Sequence, residues 1–243
     1  MTPSQHITIG EFVAHDFRTA SIFSKYGIDF CCRGHRTIAE VCEKKSINHQ
    51  NLLDELTSVI LTVNNNPVDF SSWPLDLLVD YIEKKHHRYV EGKIPVILQY
   101  LDKLCKTHGE EHPELHQIKS LFQGCAADLT QHLKKEELIL FPFIGKLEKA
   151  ANQNGTITIP AFETIDNPIA MMKHEHEQEG DRFRKIAILT HNYTPPAGAC
   201  NTYRVTYSML QDFEQDLHEH IHIENNILFP RAVKLEEKVL QYQ

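Results

Sequence analysis

Two segments of this chain repeat each other, and what they share is a pair of metal-ligating side chains set in an apolar frame. One runs His132-Leu-Lys-Lys-Glu136-Glu-Leu-Ile-Leu-Phe141-Pro142, the other His220-Ile-His-Ile-Glu224-Asn-Asn-Ile-Leu-Phe229-Pro230. In both, Glu follows His by four residues and Phe-Pro follows at nine and ten. Residues four apart on a helix are neighbours, about 5–6 Å at Cβ, so each segment can offer an imidazole and a carboxylate to one ion.

Positioning such groups requires helices, and four long helical patterns are present. They run from about Pro74 to Cys105, Glu114 to Leu147, Pro168 to Leu189 and Thr202 to Val239, separated by the loop compositions Asn152–Gly155 and Thr194-Pro-Pro-Ala-Gly198. Strand signals reduce to one short alternating run, Thr156–Ile159. The expected fold class is all-α, with a four-helix bundle over residues 74–243. Ahead of it the polar cluster Asn64-Asn-Asn-Pro67 reads as a linker, taken as residues 64–73, which permits domain motion. Residues 1–63 form a separate helical domain. One helix is expected from Ile9 to Tyr26, stopped at Gly27, and another opens at Thr37 with the capping box Thr37/Glu40. Leu52, Leu53, Leu56 and Ile60 mark a third apolar patch, and Asp29-Phe-Cys31-Cys32-Arg-Gly34 makes a tight connection that presents two thiols.

Helical periodicity selects which of the sixteen histidines face inward. Cys125, Leu129, His132, Glu136, Ile139 and Phe143 share one face of the second helix, and Leu210, Phe213, Leu217, His220, Glu224 and Ile227 share one face of the fourth. On the first helix His87 continues into Val90, Ile94, Ile97, Leu101 and Leu104, whereas His86 leads to Tyr89 and Lys93. On the third, His176 lines up with Ile169, Met172, Phe183 and Ile186, and His174 with Glu177 and Asp181. His87, His132, His176 and His220 are thus one per helix, spaced 45, 44 and 44 residues apart, a two-fold pseudo-repeat of helix hairpins.

A lone histidine on an apolar face is ordinarily satisfied by a backbone carbonyl, but two buried glutamates with few interior cations demand compensation. Six nitrogen and oxygen donors without thiolate exceed what one tetrahedral zinc takes and suit a dinuclear iron site. His174-Glu-His-Glu-Gln178 fails the zinc-protease pattern at its last position. Glu83/His86 and Glu219/His222 match the ferritin-type spacing but lie off the apolar stripes, which assigns them to the surface. Of His218, His220 and His222, only the middle one fits the inner face.

The bulk properties exclude other classes. A formal charge of −8 argues against nucleic-acid binding. The chain has no apolar run near ~18 residues and no secretory leader, so it reads as a soluble cytoplasmic protein without a membrane span. Cys31, Cys32, Cys42, Cys105, Cys125 and Cys200 are accordingly expected as free thiols.

Along nearly its whole length the chain resembles the RIC family of di-iron iron–sulfur cluster repair proteins. The likeness rests on Asp29-Phe-Cys-Cys-Arg-Gly34 within an ScdA-type N-terminal module, on the two His-x3-Glu-x4-Phe-Pro segments, and on Glu175-His176 within a hemerythrin-like bundle. Hemerythrin oxygen carriers use more histidines and an aspartate motif not found here. The resemblance implies two non-haem iron ions per chain, oxo- or hydroxo-bridged, held by His87, His132, His176 and His220 with Glu136 and Glu224 bridging. It implies restoration of clusters damaged by nitrosative or oxidative stress through labile iron, with iron–sulfur proteins or their assembly machinery as partners. The ScdA-type module further implies a homodimer. The competing readings are a sensor or store for O2 or NO, and a di-iron redox enzyme reducing NO or peroxide. Glu175, Glu177 and Glu179 would shepherd a leaving cation, Glu175 foremost, or form a solvated acidic face. Cys31 and Cys32 would pass electrons, hold iron transiently or contact a partner, or be a structural pair in a turn.

Overall fold

The computed structural model describes residues 7–61, 68–153 and 155–241. The expected linker signal Asn64–Pro67 therefore lies outside the described residues. The N-terminal module holds α1 (Ile9–His15), α2 (Ala20–Lys25), α3 (Ile38–Lys45) and α4 (His49–Leu61). The single helix expected from Ile9 to Tyr26 is broken at Asp16. That residue turns extended, and its carboxylate takes the backbone N–H of Arg18 to open a short 3-10 turn, Phe17–Thr19. Gly27 ends the run with a φ of 62°, open to glycine at no steric cost. Both α1 and α3 start with complete capping boxes, Thr8/Glu11 and Thr37/Glu40. The described residues hold only an isolated antiparallel bridge between Thr8 and Thr37, with no strand.

Four rods follow. The first joins α5 (Leu75–Tyr81), a π segment (Ile82–His87) and α6 (Arg88–His108). The second joins α7 (Glu114–Lys135), a π segment (Glu136–Leu140) and α8 (Phe141–Gln153). The third is α9 (Asp166–Leu189), and the fourth joins α10 (Asn201–Ile223), a π segment (Glu224–Leu228) and α11 (Phe229–Leu240). No helix among the described residues is long and apolar enough to cross a membrane.

Two apolar clusters fill the bundle. One contains Leu101, Phe122, Phe183, Phe213 and Leu217 and extends into the N-terminal module through Phe12, Phe23 and Phe30. The other gathers Ile82, Phe141, Ile169, Met172 and Phe229. On the first and third rods the chosen histidine falls where one cluster gives way to the other, His87 between Ile82 and Val90 and His176 between Met172 and Phe183; on the second rod that place is taken by Glu136, between Leu133 and Leu140.

The N-terminal module docks on the fourth rod. Phe17 and Phe30 press their rings on His222 at 5.8 and 5.9 Å, and Asn226 donates to the carbonyls of Phe30 and Cys31 at 3.4 and 3.2 Å. Gly34 permits this approach, since a Cβ there would come within 2.7 Å of Asn226 Oδ1. Arg184 of α9 closes the contact on Asp29 at 3.2 Å.

Candidate metal centre

The three π segments each begin or end on a predicted ligand: His87, Glu136 and Glu224. An extra residue in a helical turn re-aims side chains locally, and such bulges concentrate at functional sites. The consequence is visible after Glu136. Ile139, expected on the inner face, is exposed, and Leu140 is buried in its place. The same device buries both His86 and His87. His86 is therefore not a surface residue, and the expectation is corrected. It stacks on His220 at 5.4 Å and lies 3.1 Å from Asp216. His222 is likewise buried, covered by the N-terminal module rather than by the bundle.

All six selected side chains are buried and meet in two overlapping groups. One potential donor atom each from His87, Glu136, His220 and Glu224 lies within 4.8 Å of the others, and the same holds for His132, Glu136, His176 and Glu224. Both carboxylates belong to both groups. The grouping crosses the pseudo-repeat: rods one and four supply one imidazole pair, rods two and three the other. Glu136 Oε2 lies 3.4 Å from His87 Nε2 and 3.3 Å from His132 Nε2. Glu224 lies 3.2 Å from His176 Nε2 and 3.0 Å from His220 Nε2. His132 and His176 point Nε2 at Nε2 across 3.1 Å.

These atoms are short of partners. Both oxygens of Glu136, Oε2 of Glu224 and Nε2 of His87 are buried without a hydrogen bond. Burial, reinforced by the nearby Glu224 charge, pushes Glu136 up. Burial opposes ionisation of Glu224 too, but His220 and His176 outweigh it and hold Glu224 well below the carboxylate range. Burial also works against charge on His87 and His176, yet the carboxylates carry them up to about 8 and about 9. His220 is pushed down to about 4 by burial. Orphaned carboxylate and imidazole atoms converging on two positions fit a pair of cations that accept nitrogen and oxygen donors, iron among them.

Three of the four imidazoles are oriented from behind, leaving Nε2 inward. His87 Nδ1 meets Glu137 at 3.0 Å, His132 Nδ1 meets Glu175 at 2.7 Å and His176 Nδ1 meets Asn225 at 3.0 Å. Such contacts fix tautomer and ring orientation. Glu137 and Asn225 went unnoticed in the sequence, though each directly follows the Glu of its own repeat. His220 Nδ1 has no hydrogen-bond partner.

A cavity of about 120 Å³ leads to this centre, lined by Asp128, Lys135, His132, Glu175, His176 and His220 among others. Glu175 is half-buried, salt-bridged to Lys135, and held down to about 2, foremost by its hydrogen bond with His132. Glu177 is exposed. Glu179 belongs to neither a solvated face nor the donor groups: it is buried beside Arg182 at 3.3 Å and lines the cavity, and burial raises its pKa. Cys31, Cys32 and Asp29 form a further compact donor group, with the two sulfurs 3.7 Å apart. Cys32 Sγ reaches the carbonyl of His176 at 3.4 Å, so the thiol loop abuts the rod that carries a candidate ligand. The Cys31 thiol is pushed well up, first by its contact with Cys32 and then by burial. All six cysteines are free thiols.

Residues 79–232 match the hemerythrin HHE cation-binding domain, and residues 5–60 match ScdA_N, a domain of unknown function. The chain is 34% identical over 230 residues to the iron–sulfur cluster repair protein YtfE of Pectobacterium carotovorum subsp. carotovorum (strain PC1), covering 93% of this chain and 96% of that one. The YtfE proteins of Pectobacterium atrosepticum and Musicola paradisiaca are 33% and 32% identical over the same shares.

Proposed function

The chain belongs to the hemerythrin HHE family, alongside the iron–sulfur cluster repair proteins it matches over nearly its full length, and from this we propose that it serves in iron–sulfur cluster repair as a donor of iron. The supporting observation is the pair of donor groups that share Glu136 and Glu224 and leave buried oxygens without partners. Iron bound there would supply a ferrous–ferric couple and coordination positions that the protein does not fill.

His87 and His220 would hold one cation and His132 and His176 the other, with Glu136 and Glu224 available to both. Four protein donors at each position would leave coordination places open, through which a recipient's ligand could reach the iron. Glu175 lines the cavity beside His132, where its carboxylate, kept ionised, meets a departing cation first. Lys135 holds Glu175 in that place until the cation competes for it. Asp29, Cys31 and Cys32 offer a transient holding place, or an electron path, against the backbone of His176. The targets are clusters damaged by nitric oxide or oxidants.

The test is to load the metal-free chain with iron and mix it with an apo iron–sulfur enzyme. Recovery of the recipient's activity at the expense of chain-bound iron is expected. Retention of all iron while NO or O2 binds reversibly would replace this reading with a gas sensor or store, and catalytic gas or peroxide consumption would replace it with a redox enzyme.

A further inference from the structure

We propose that the groove between the N-terminal module and the start of α11 binds a small organic polyanion, a molecule carrying two or more carboxylate or phosphate groups. The groove measures about 860 Å³ and contains none of the six candidate ligands. Its lining brings together His15 and His35 from the module, Lys173 from α9, and Arg231 and Lys234 from α11. Three fixed cations, Lys173, Arg231 and Lys234, outnumber the two lining carboxylates, Glu11 and Asp69, whereas the chain as a whole carries a formal charge of −8.

Arg231 carries the argument. Its Nη1 is buried and has no hydrogen-bond partner. Desolvation lowers its pKa, against the opposing charges of Glu148 and Asp69. The side chain is half-buried, and a donor atom shut away from water and left unused is unfavourable unless something completes it. Its planar fork matches a carboxylate or phosphate with two parallel hydrogen bonds.

Both acids in the lining have partners within their own segments, although the Asp69 charge also bears on Arg231. Glu11 accepts from the backbone N–H and hydroxyl of Thr8 at 3.0 and 2.7 Å in the capping box of α1. Asp69 accepts from the backbone N–H of Ser71 at 3.0 Å. The lysines sit at the exposed rim and Arg231 sits deeper, an order that steers an anion inward and then fixes it. Asn225, on the same wall, touches both His176 and the Cys31 carbonyl, which places the anion beside the outer shell of the metal centre.

The experiment is calorimetric titration of the full-length, metal-free chain, with citrate as the carboxylate probe and pyrophosphate as the phosphate probe. Without metal, neither probe can act as a chelator, and failure here leaves the repair reading untouched. Saturable binding of one equivalent of either probe is expected, weakened by added salt, with the tighter probe identifying the headgroup. Arg231→Gln should weaken it at least about tenfold. The double variant Lys173→Gln/Lys234→Gln changes only exposed side chains, so it tests the rim even where the arginine variant is unstable. The idea is overturned if neither probe saturates or if both variants bind like the parent.

Discussion

Asn225 Oδ1 lies 3.0 Å from His176 Nδ1, while the same amide's Nδ2 donates to the Cys31 carbonyl at 3.3 Å. One side chain thus orients a candidate ligand and anchors the thiol loop. Asn225→Ala should weaken metal binding by about 10–100-fold, measured by competition with a chelator, because the ring loses the contact that fixes its tautomer. Thiol-reactive probes should label Cys32 faster in the same variant. Asn225→Asp keeps the acceptor and should restore most of the affinity; no recovery there would deny the orienting role.

Glu136 is buried with both oxygens unpaired, so it is a burden to the chain without metal. Glu136→Leu should abolish paired metal binding and yet raise the thermal stability of the metal-free protein, by about 1 kcal/mol or more. Parallel metal analysis and calorimetry of that variant check both halves. A variant that still takes up two ions removes the bridging assignment.

His86 and His87 are both buried, but only His87 joins a donor group. His87→Leu should cost one metal position outright. His86→Leu should retain both ions with reduced affinity, since its ring packs on His220. Equal losses would mean that the π segment presents either ring to the metal.

His87 and His176 are drawn up to about 8 and about 9 by the carboxylates beside them, so both hold protons near pH 7 when the centre is empty. Metal binding must displace those protons. Calorimetry in buffers of different ionisation enthalpy should register their release at pH 7, and affinity should climb as the pH rises toward 9. Acidification should strip the site.

Glu214 belongs to neither donor group, and burial pushes its carboxyl up to about 7, outweighing Tyr193 and Arg184. The folded chain keeps this proton in a range where the unfolded chain, near 4.5, has released it. The contribution to stability is therefore full below about 4.5 and is lost as the pH rises to 7, at no more than roughly 1.4 kcal/mol per pH unit. Glu214→Gln should match the parent at pH 4 and exceed it at pH 7 in urea unfolding. A pH-independent difference would place the effect elsewhere.

Much of this architecture was legible in the residues because apolar spacing marks the inner face of a long helix. The four rods and the meeting of the six donors follow from that signal, and the Thr37/Glu40 capping box from its own Thr-x-x-Glu pattern. It failed where the helices leave α geometry. At Ile139, and at the His86/His87 pair, a π turn adds a residue that a 3.6-residue period does not anticipate. It failed again where a second domain covers a helix: His222 looks outward from the bundle and is sealed by Phe17 and Phe30. Asn225 was missed because its partners come from other elements, and polar contacts between distant segments leave no period; Glu179, read as a cation guide or a solvated face, is instead buried beside Arg182 of its own helix.

The pseudo-repeat is imperfect at one place. Glu175 precedes His176 and backs His132, whereas His86, in the corresponding place before His87, stacks flat on His220 and gives its Nδ1 nothing. An imidazole backed by an anion pushes more electron density onto a bound metal. Each seat has one such ring, His132 backed by Glu175 and His87 by Glu137, so the inequality lies in the second ring: His176 is held by Asn225 while His220 is held from behind by nothing, and a cation between His87 and His220 would be the more loosely seated of the two. Stepwise chelation of the metal-loaded chain should then remove one ion faster than the other, and His220→Leu should abolish the fast phase alone.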